Sequence, residues 1–469
     1  MPVNPDYHPE RLLLELGEGF YDLVQPADFP RRIVRYRNDR AAARIGLDAL
    51  TDEEWRDHFA RFTPLPGALP EPLSLRYHGY QFRVYNPELG DGRGFTFAQM
   101  REVGTNRLLE LGTKGSGQTP WSRQGDGRLT LKGGVREVLA TEMLEALGVN
   151  TSKTLSVIET GEELWRGDEP SPTRSCVLVR LSHGHIRIGS FERHAFHQDA
   201  DRLRRLVDYA AAHLIWEAAA ANDRPLALFR AVMKRVAALG AQWMAAGFVH
   251  GVLNTDNINI TGESFDYGPW RFLPTLDPNF TAAYFDQTGL YAFGRQLETL
   301  QWNLCRFAEA LLAIADREAL IAALQEFPAL VDEALRDSYL RRLGLARRTT
   351  EEDDNLLRAF NHFLADSQAP YEQAFFDFYG GGERWRASPS LAFYQGPAFE
   401  NFIGKYETYA AADPTRRQNA YFQRSQPVTM LIDEVEAIWA AIAERDDWSL
   451  FHAKLADIAV MREALLPSP

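Results

Sequence analysis

The stretch "GFVHGVLNTDNINITGESFDYGP", residues 247–269, holds His250, Asp256, Asn257 and Asp266 around an alternating apolar run. An amide and a carboxylate, Asn257 and Asp266, are hard oxygen donors. Mg2+ is satisfied by one or two such groups when it keeps several waters and takes the rest of its ligands from phosphates. Asp256, next to the asparagine, is then a carboxylate free to act as a general base. Taken alone, "NTDN" is an ordinary turn. The chemistry rests on its company.

That company lies upstream. "GDGR" occurs twice, at 90–93 and 125–128, and "TKGSGQTPWSR" (113–123) lies between the copies. Each Asp-Gly alone reads as a hairpin turn. Two copies beside Lys114, Gly115, Gly117 and Arg123 point instead to phosphate binding, because glycine lets backbone approach an anion and cations complete its hydrogen bonds. Lys114 precedes Glu137 by 23 residues. A strand lysine tied to a helix carboxylate is how kinase-like folds fix an ammonium on phosphates. Lys132, in "RLTLKGG", competes for that role, and spacing does not choose between them. Arg180 and Arg187 are further candidate phosphate partners, each with the bland alternative of a solvated arginine. His183 and His185 make an H-x-H pair without a third metal ligand nearby, so they read as loop histidines.

Protein kinases order their catalytic residues as H-R-D-L-x-x-x-N followed by D-F-G. His250 stands seven residues before Asn257, the interval of that motif, and Asp266-Tyr267-Gly268 stands where D-F-G would. The aspartate two places after the histidine is missing, since that position is Val252. The nearest acid is Asp256.

The elements that must position these residues fall in sequence blocks. Residues 1–70 read as irregular with short helices, among them "TDEEWRDHFARF", where Thr51 and Glu54 form a capping-box pattern. "PLPGALPEPLSL" is a connector. From about 75 to 190 the chain favours strands and turns, including "TLSVIET" and "SCVLVRL" on either side of "GDEPSPT". "VREVLATEMLEAL" interrupts them as a helix ending at Gly148. From about 199 long amphipathic helices are expected over "DADRLRRLVDYAAAHLIWEAAAA" and "PLALFRAVMKRVAALGAQWMAAG", and "INI" (258–260) supplies strand positions. Beyond 290 the pattern is helical, broken at "YGGGERW". The expected fold is α+β and bilobal: an N-terminal extension (1–74), a strand-rich nucleotide-binding lobe (75–190), a helical lobe with the catalytic loop (191–290) and a helical C-terminal extension (291–469).

Composition bounds the function. The chain has 469 residues, 45% hydrophobic and 25% charged, with net charge −13. That balance argues against a nucleic-acid partner, which requires a basic face. No run approaches a membrane span, and the start lacks the features of a signal peptide. Cys176 and Cys305 lie in apolar runs and read as small core residues. A cytoplasmic setting fits.

Five segments together, "NPELGDGRG", "TKGSGQTPWSRQGDGR", "VREVLATEMLEALGVNTSKTLS", "VRLSHGHIRIGSFE" and the opening stretch, resemble the selenoprotein O family, pseudokinase-fold protein adenylyltransferases. The resemblance spans about 80–290 and is looser outside it. It implies a kinase-like fold that binds ATP end for end, so that AMP passes to a Ser, Thr or Tyr hydroxyl of a protein substrate. It implies Asp256 as proton acceptor, Asn257 and Asp266 as ligands of Mg2+ or Mn2+, and Lys114, rather than Lys132, as the strand lysine paired with Glu137. It places Gly90, Gly92, Arg93, Lys114, Asp126, Gly127, Arg180, Arg187 and Asp266 on the nucleotide. Gln118 replaces a basic residue of the family's "LKGAGRTPYSR", "KGGVREVL" stands for "RSSIREFL", and one residue is inserted in "REVGTNRLLEL". UTP in place of ATP, a γ-phosphoryl kinase and a non-catalytic nucleotide binder are the alternatives. Animal members carry a selenocysteine near the C-terminus, whereas "MREALLPSP" has no cysteine, so no redox role is expected of the tail.

Overall fold

The computed structural model of the chain describes residues 4–167 and 169–466. The first three residues, Asp168 within "GDEPSPT" and the last three residues of "MREALLPSP" lie outside the described residues. In chain order the strands are β1 (His8–Glu10), β2 (Tyr21–Leu23), β3 (Ile33–Arg37), β4 (Leu73–Leu75), β5 (Gly79–Gln81), β6 (Val84–Asn86) and β7 (Thr96–Arg101). They continue with β8 (Leu108–Lys114), β9 (Leu129–Thr130), β10 (Lys153–Leu164), β11 (Thr173–Ser182), β12 (Phe248–His250) and β13 (Trp270–Phe272). The main sheet runs β2–β4–β7–β8–β11–β10–β3, with β1 added on β7 and β9 on β11, and its pairs are antiparallel. β5–β6 and β12–β13 are separate two-stranded ribbons. With its many helices the fold is α+β.

Side chains alternate across a strand, and that alternation decides what faces the site. Leu109, Leu111, Val177, Val179 and Leu181 enter a core shared with Trp55 and Phe59. Their neighbours Glu110, Gly112, Lys114 and Arg180 therefore turn to the opposite face. Trp55 and Phe59 come from a helix over Asp52–Phe59 whose capping box, Thr51 with Glu54, is formed as its sequence pattern requires.

Several expectations need correction. Residues 1–70 are not merely irregular, since three strands of the main sheet come from them. At three to five residues each, these strands are too short for an alternating pattern to register. The helix read over "VREVLATEMLEAL" spans Leu131–Ala146 and starts earlier, because Thr130 caps it by accepting from Gly133 N–H at 3.1 Å. Lys132 is therefore helical and not a strand lysine. The long helix expected from residue 199 covers only Ala200–His213. It breaks where Ile215 turns into the core and the Leu214 carbonyl accepts from Arg235 at 3.4 Å. "INI" forms no strand; Asn259 makes a single bridge with Arg187. The helix over Arg224–Ala246 matches its pattern and ends at Gly247, whose φ of +63° provides the left-handed cap that delivers β12. Among the described residues, no helix is long and apolar enough to cross a membrane. Cys176 is buried as expected, whereas Cys305 is only half-buried, and both are free thiols.

Candidate active site

β8 ends on Lys114, a residue that is only 4% exposed. Glu137, from the Leu131–Ala146 helix, forms a short ion pair with it. The same ammonium lies 2.9 Å from Asp266 Oδ1, which Arg180 Nη2 also approaches at 3.4 Å. Asn257 Nδ2 donates to the other Asp266 oxygen at 3.2 Å. Residues far apart in sequence thus converge on one carboxylate. Burial opposes its charge, but Lys114, Arg180, Arg93 and Arg187 outweigh burial and hold Asp266 well below the usual carboxylate range. Its backbone is in the left-handed region, with φ +61°. That conformation is uncommon for aspartate and is typical of functional turns.

His250 supports this turn rather than the chemistry. Burial holds its ring below the ordinary histidine range, so it is neutral. Its Nε2–H donates to the Phe265 carbonyl at 3.1 Å, and Nδ1 accepts from Val252 N–H at 3.4 Å. The histidine therefore fixes the residue preceding Asp266.

Asp256 sits in a short 3-10 turn (Thr255–Asn257) and is 8% exposed. Its Oδ1 is withdrawn from water and has no hydrogen-bond partner among the described residues. Gly79 makes this possible, because a Cβ there would lie 2.7 Å from that oxygen. The nearest guanidinium, Arg187, donates to the Asp256 backbone carbonyl (3.2 Å) and pairs with Asp91 (3.3 Å). Burial consequently dominates and pushes the Asp256 carboxyl up to about 7, against the pull of Arg187.

Lys114, Arg180, Arg187, Asp256, Asn257 and Asp266 line a cleft of about 780 Å³. Gly90, Gly92, Arg93, Asp126 and Gly127 line it too. Gly90 and Gly92 lie against the Trp121 ring and its carbonyl, where a Cβ would collide. The two GDGR copies are not equivalent. Asp91 binds Arg187 in the cleft, whereas Asp126 takes Arg166 at 2.8 and 3.1 Å. Asp91 was missed from the sequence, although it holds in the first copy the place that Asp126 holds in the second. Lys132 does not line the cleft and pairs with Glu436 at 2.7 Å. The H-x-H pair diverges: His183 faces Arg107 and Glu263, and His185 faces Glu110. Among the described residues, no group of three or more His, Cys, Asp or Glu is arranged to hold a metal.

A glycine-lined cleft whose cations converge on one aspartate has the chemistry to take up phosphate groups. The family model for protein adenylyltransferase SelO matches residues 3–459, and the chain belongs to that family. It is 42% identical to protein nucleotidyltransferase YdiU of Trichormus variabilis, over 96% of this chain and 96% of the relative. Proteins of the same name from Synechocystis and Gloeobacter violaceus are 43% and 44% identical, covering 96% and 95% of this chain and 97% and 93% of theirs.

Proposed function

We propose that this chain transfers AMP from ATP to Ser, Thr or Tyr hydroxyls of other proteins. Its core is read as a bilobal kinase-like unit, 75–290, flanked by the extensions at 1–74 and 291–469. The observation that carries the reading is Asp256: a buried carboxylate pushed up to about 7, with a free oxygen, in the cleft of the Lys114–Asp266 cluster. A base poised near working pH is what hydroxyl activation needs.

The acceptor hydroxyl gives its proton to the Asp256 carboxylate as its oxygen bonds to the α-phosphorus. The bond from that phosphorus to the α–β bridging oxygen breaks, and pyrophosphate leaves. For this the nucleotide lies with its α-phosphate toward Asp256, reversed relative to a kinase. Lys114, held by Glu137, together with Arg93, Arg180 and Arg187, binds phosphate oxygens, while Gly90, Gly92, Asp126 and Gly127 shape the nucleotide's path. Positioning and charge neutralisation carry most of the rate. Asn257 and Asp266 stand side by side and would hold Mg2+ or Mn2+ through an amide and a carboxylate, a donor set that suits either ion. Such an ion, when bound, supplies charge neutralisation at the phosphates.

ATP labelled at the α- or the γ-phosphorus tests the reading. Protein is expected to take up the α label only. Uptake of the γ label would make the chain a kinase, and a thermal shift with ATP but neither label taken up would make it a binder. The same assay separates the two lysines. Lys114→Met is expected to lower α-label transfer by about 10²-fold or more, and Lys132→Met to stay within about twofold, since Lys132 serves an ion pair outside the cleft.

A further inference from the structure

The two histidines of the H-x-H pair line different hollows. His185 lines the cleft of Lys114 and Asp266, whereas His183 lines a separate cavity of about 250 Å³ that shares no lining residue with the cleft. The sheet and the helices both contribute to its wall. Arg107 stands just before β8 and His183 just after β11, while Asn150 follows the Leu131–Ala146 helix. His213 ends the Ala200–His213 helix, and Arg235 lies within Arg224–Ala246. The polar lining is two arginines, two histidines, an asparagine and a threonine, and among the described residues no carboxylate lines it. In a chain of net charge −13, that lining runs against the composition.

Arg107 makes no ion pair among the described residues. Its Nη1 donates to the His183 ring, 2.9 Å from Nε2. Burial, followed by the charges of Arg107, Lys153, Arg44 and Arg235, holds that ring well below the ordinary histidine range, so it accepts as a neutral imidazole. Glu263 accepts from His183 N–H at 2.9 Å and lies 3.5 Å from Nε2. Burial pushes its carboxyl up to about 7, which makes it a weak counterion for Arg107. Arg235 gives Nη2 to Glu217 (2.6 and 2.8 Å) and Nη1 to the Leu214 carbonyl (3.4 Å), and its Nε has no partner among the described residues. His213 meets Glu15 at 3.1 Å through Nε2, with Nδ1 likewise without a partner there.

A carboxylate presents two oxygens in one plane and is matched by one guanidinium. Two guanidiniums on different elements, with an uncompensated charge between them, match a group whose oxygens point in several directions. The volume is that of about eight waters at their liquid share, room for a phosphate and a small organic stem. We propose that this cavity is a second anion site, separate from the cleft, which takes a phosphate group between Arg107 and Arg235, as the free ion or as a small phosphomonoester. The site stands whether or not the chain transfers AMP.

The test is NMR of the full chain, labelled with 13C in its histidine rings, at a fixed pH of 7.5. It is titrated with inorganic phosphate and, separately, with glycerol 3-phosphate, after single His→Gln variants have assigned the signals. The His183 and His213 signals are expected to move together along one saturating curve. Arg107 is exposed, so Arg107→Gln leaves the fold intact, and it is expected to shift that curve to about tenfold higher anion, the lower end for a hydrogen bond to a charged group. Arg107→Lys, which keeps the charge, is expected to recover part of the loss, and Arg180→Gln, in the cleft, to leave the curve within about twofold. A lower midpoint for glycerol 3-phosphate marks a phosphomonoester as the ligand, and a lower midpoint for the free ion marks phosphate itself. His183 and His213 signals that stay in place with both anions overturn the proposal, and so does a curve that follows Arg180→Gln rather than Arg107→Gln.

Discussion

Asp266→Asn is expected to lower α-label transfer by at least about 10³-fold while the protein stays folded. Among the described residues, Asp266 is the one carboxylate that Lys114, Arg180 and Asn257 all contact. In the proposed reaction the cations offset phosphate charge, and the aspartate sets where they stand. Because those cations keep its carboxyl well below the usual range, it is ionised throughout the working pH range. The asparagine variant therefore removes a full charge and adds no titration of its own. Asparagine is also the replacement the backbone accepts, since the φ of +61° is tolerated by Asn far better than by most residues. Stability near neutral pH is expected to fall, though modestly, because a carboxyl held below its usual range supports the fold where it is ionised. Lys114 keeps Glu137, and the Asp266 side chain is 28% exposed, so water screens the cations left behind. Binding of Mn2+, followed by its electron spin resonance in the presence of ATP, is expected to weaken in the same variant. Transfer above a tenth of the parent's would remove Asp266 from the mechanism.

How far the site could be read from sequence depends on whether each signal is local. The capping box at Thr51–Glu54, the helix end at Gly148 and the interval from His250 to Asn257 are short-range patterns, and each was legible as a pattern. Lys114 and Glu137 could be paired only as one of two options, because "RLTLKGG" looks like a strand and a turn. The Thr130 cap that makes it a helix competes with the breaking tendency of two glycines, and such contests are settled by packing: Gly134 leaves room for Cys176 Sγ. The three N-terminal strands carry too few residues to show a period. Tertiary juxtapositions were not legible at all. Gly79 lies under Asp256 although 177 positions separate them in sequence, and Thr96, Gly112 and Arg180 meet only through sheet register. Nothing in "LELGTK" announces that its glycine clears space for a histidine 73 residues later.

Asp256→Asn is expected to lower α-label transfer by roughly 10²–10⁴-fold, the range for loss of a general base, and at the same time to make the metal-free protein more stable at pH 8. Both effects come from one fact, that burial leaves Asp256 Oδ1 without water or a donor. Unfolded, this carboxyl ionises near 3.8, and folded near about 7. Between those values the native chain holds one more proton than the unfolded chain. Stability therefore falls as pH rises through that window and stays at the lower level above it. The full difference corresponds to about 4 kcal/mol. The amide of asparagine remains polar and buried, so a gain on the order of 2–3 kcal/mol is expected at pH 8, vanishing near pH 4. Denaturant titrations in EDTA at the two pH values measure it. In the working enzyme the acidic limb of the rate should fall with an inflection at or below about 7, because a nearby divalent cation favours the carboxylate, and the residual activity of the variant should lack that limb. An aspartate held only by the fold would show the opposite sign, with the asparagine variant destabilised at pH 8. A carboxylate that weakens the resting fold where it is ionised is one kept for its proton.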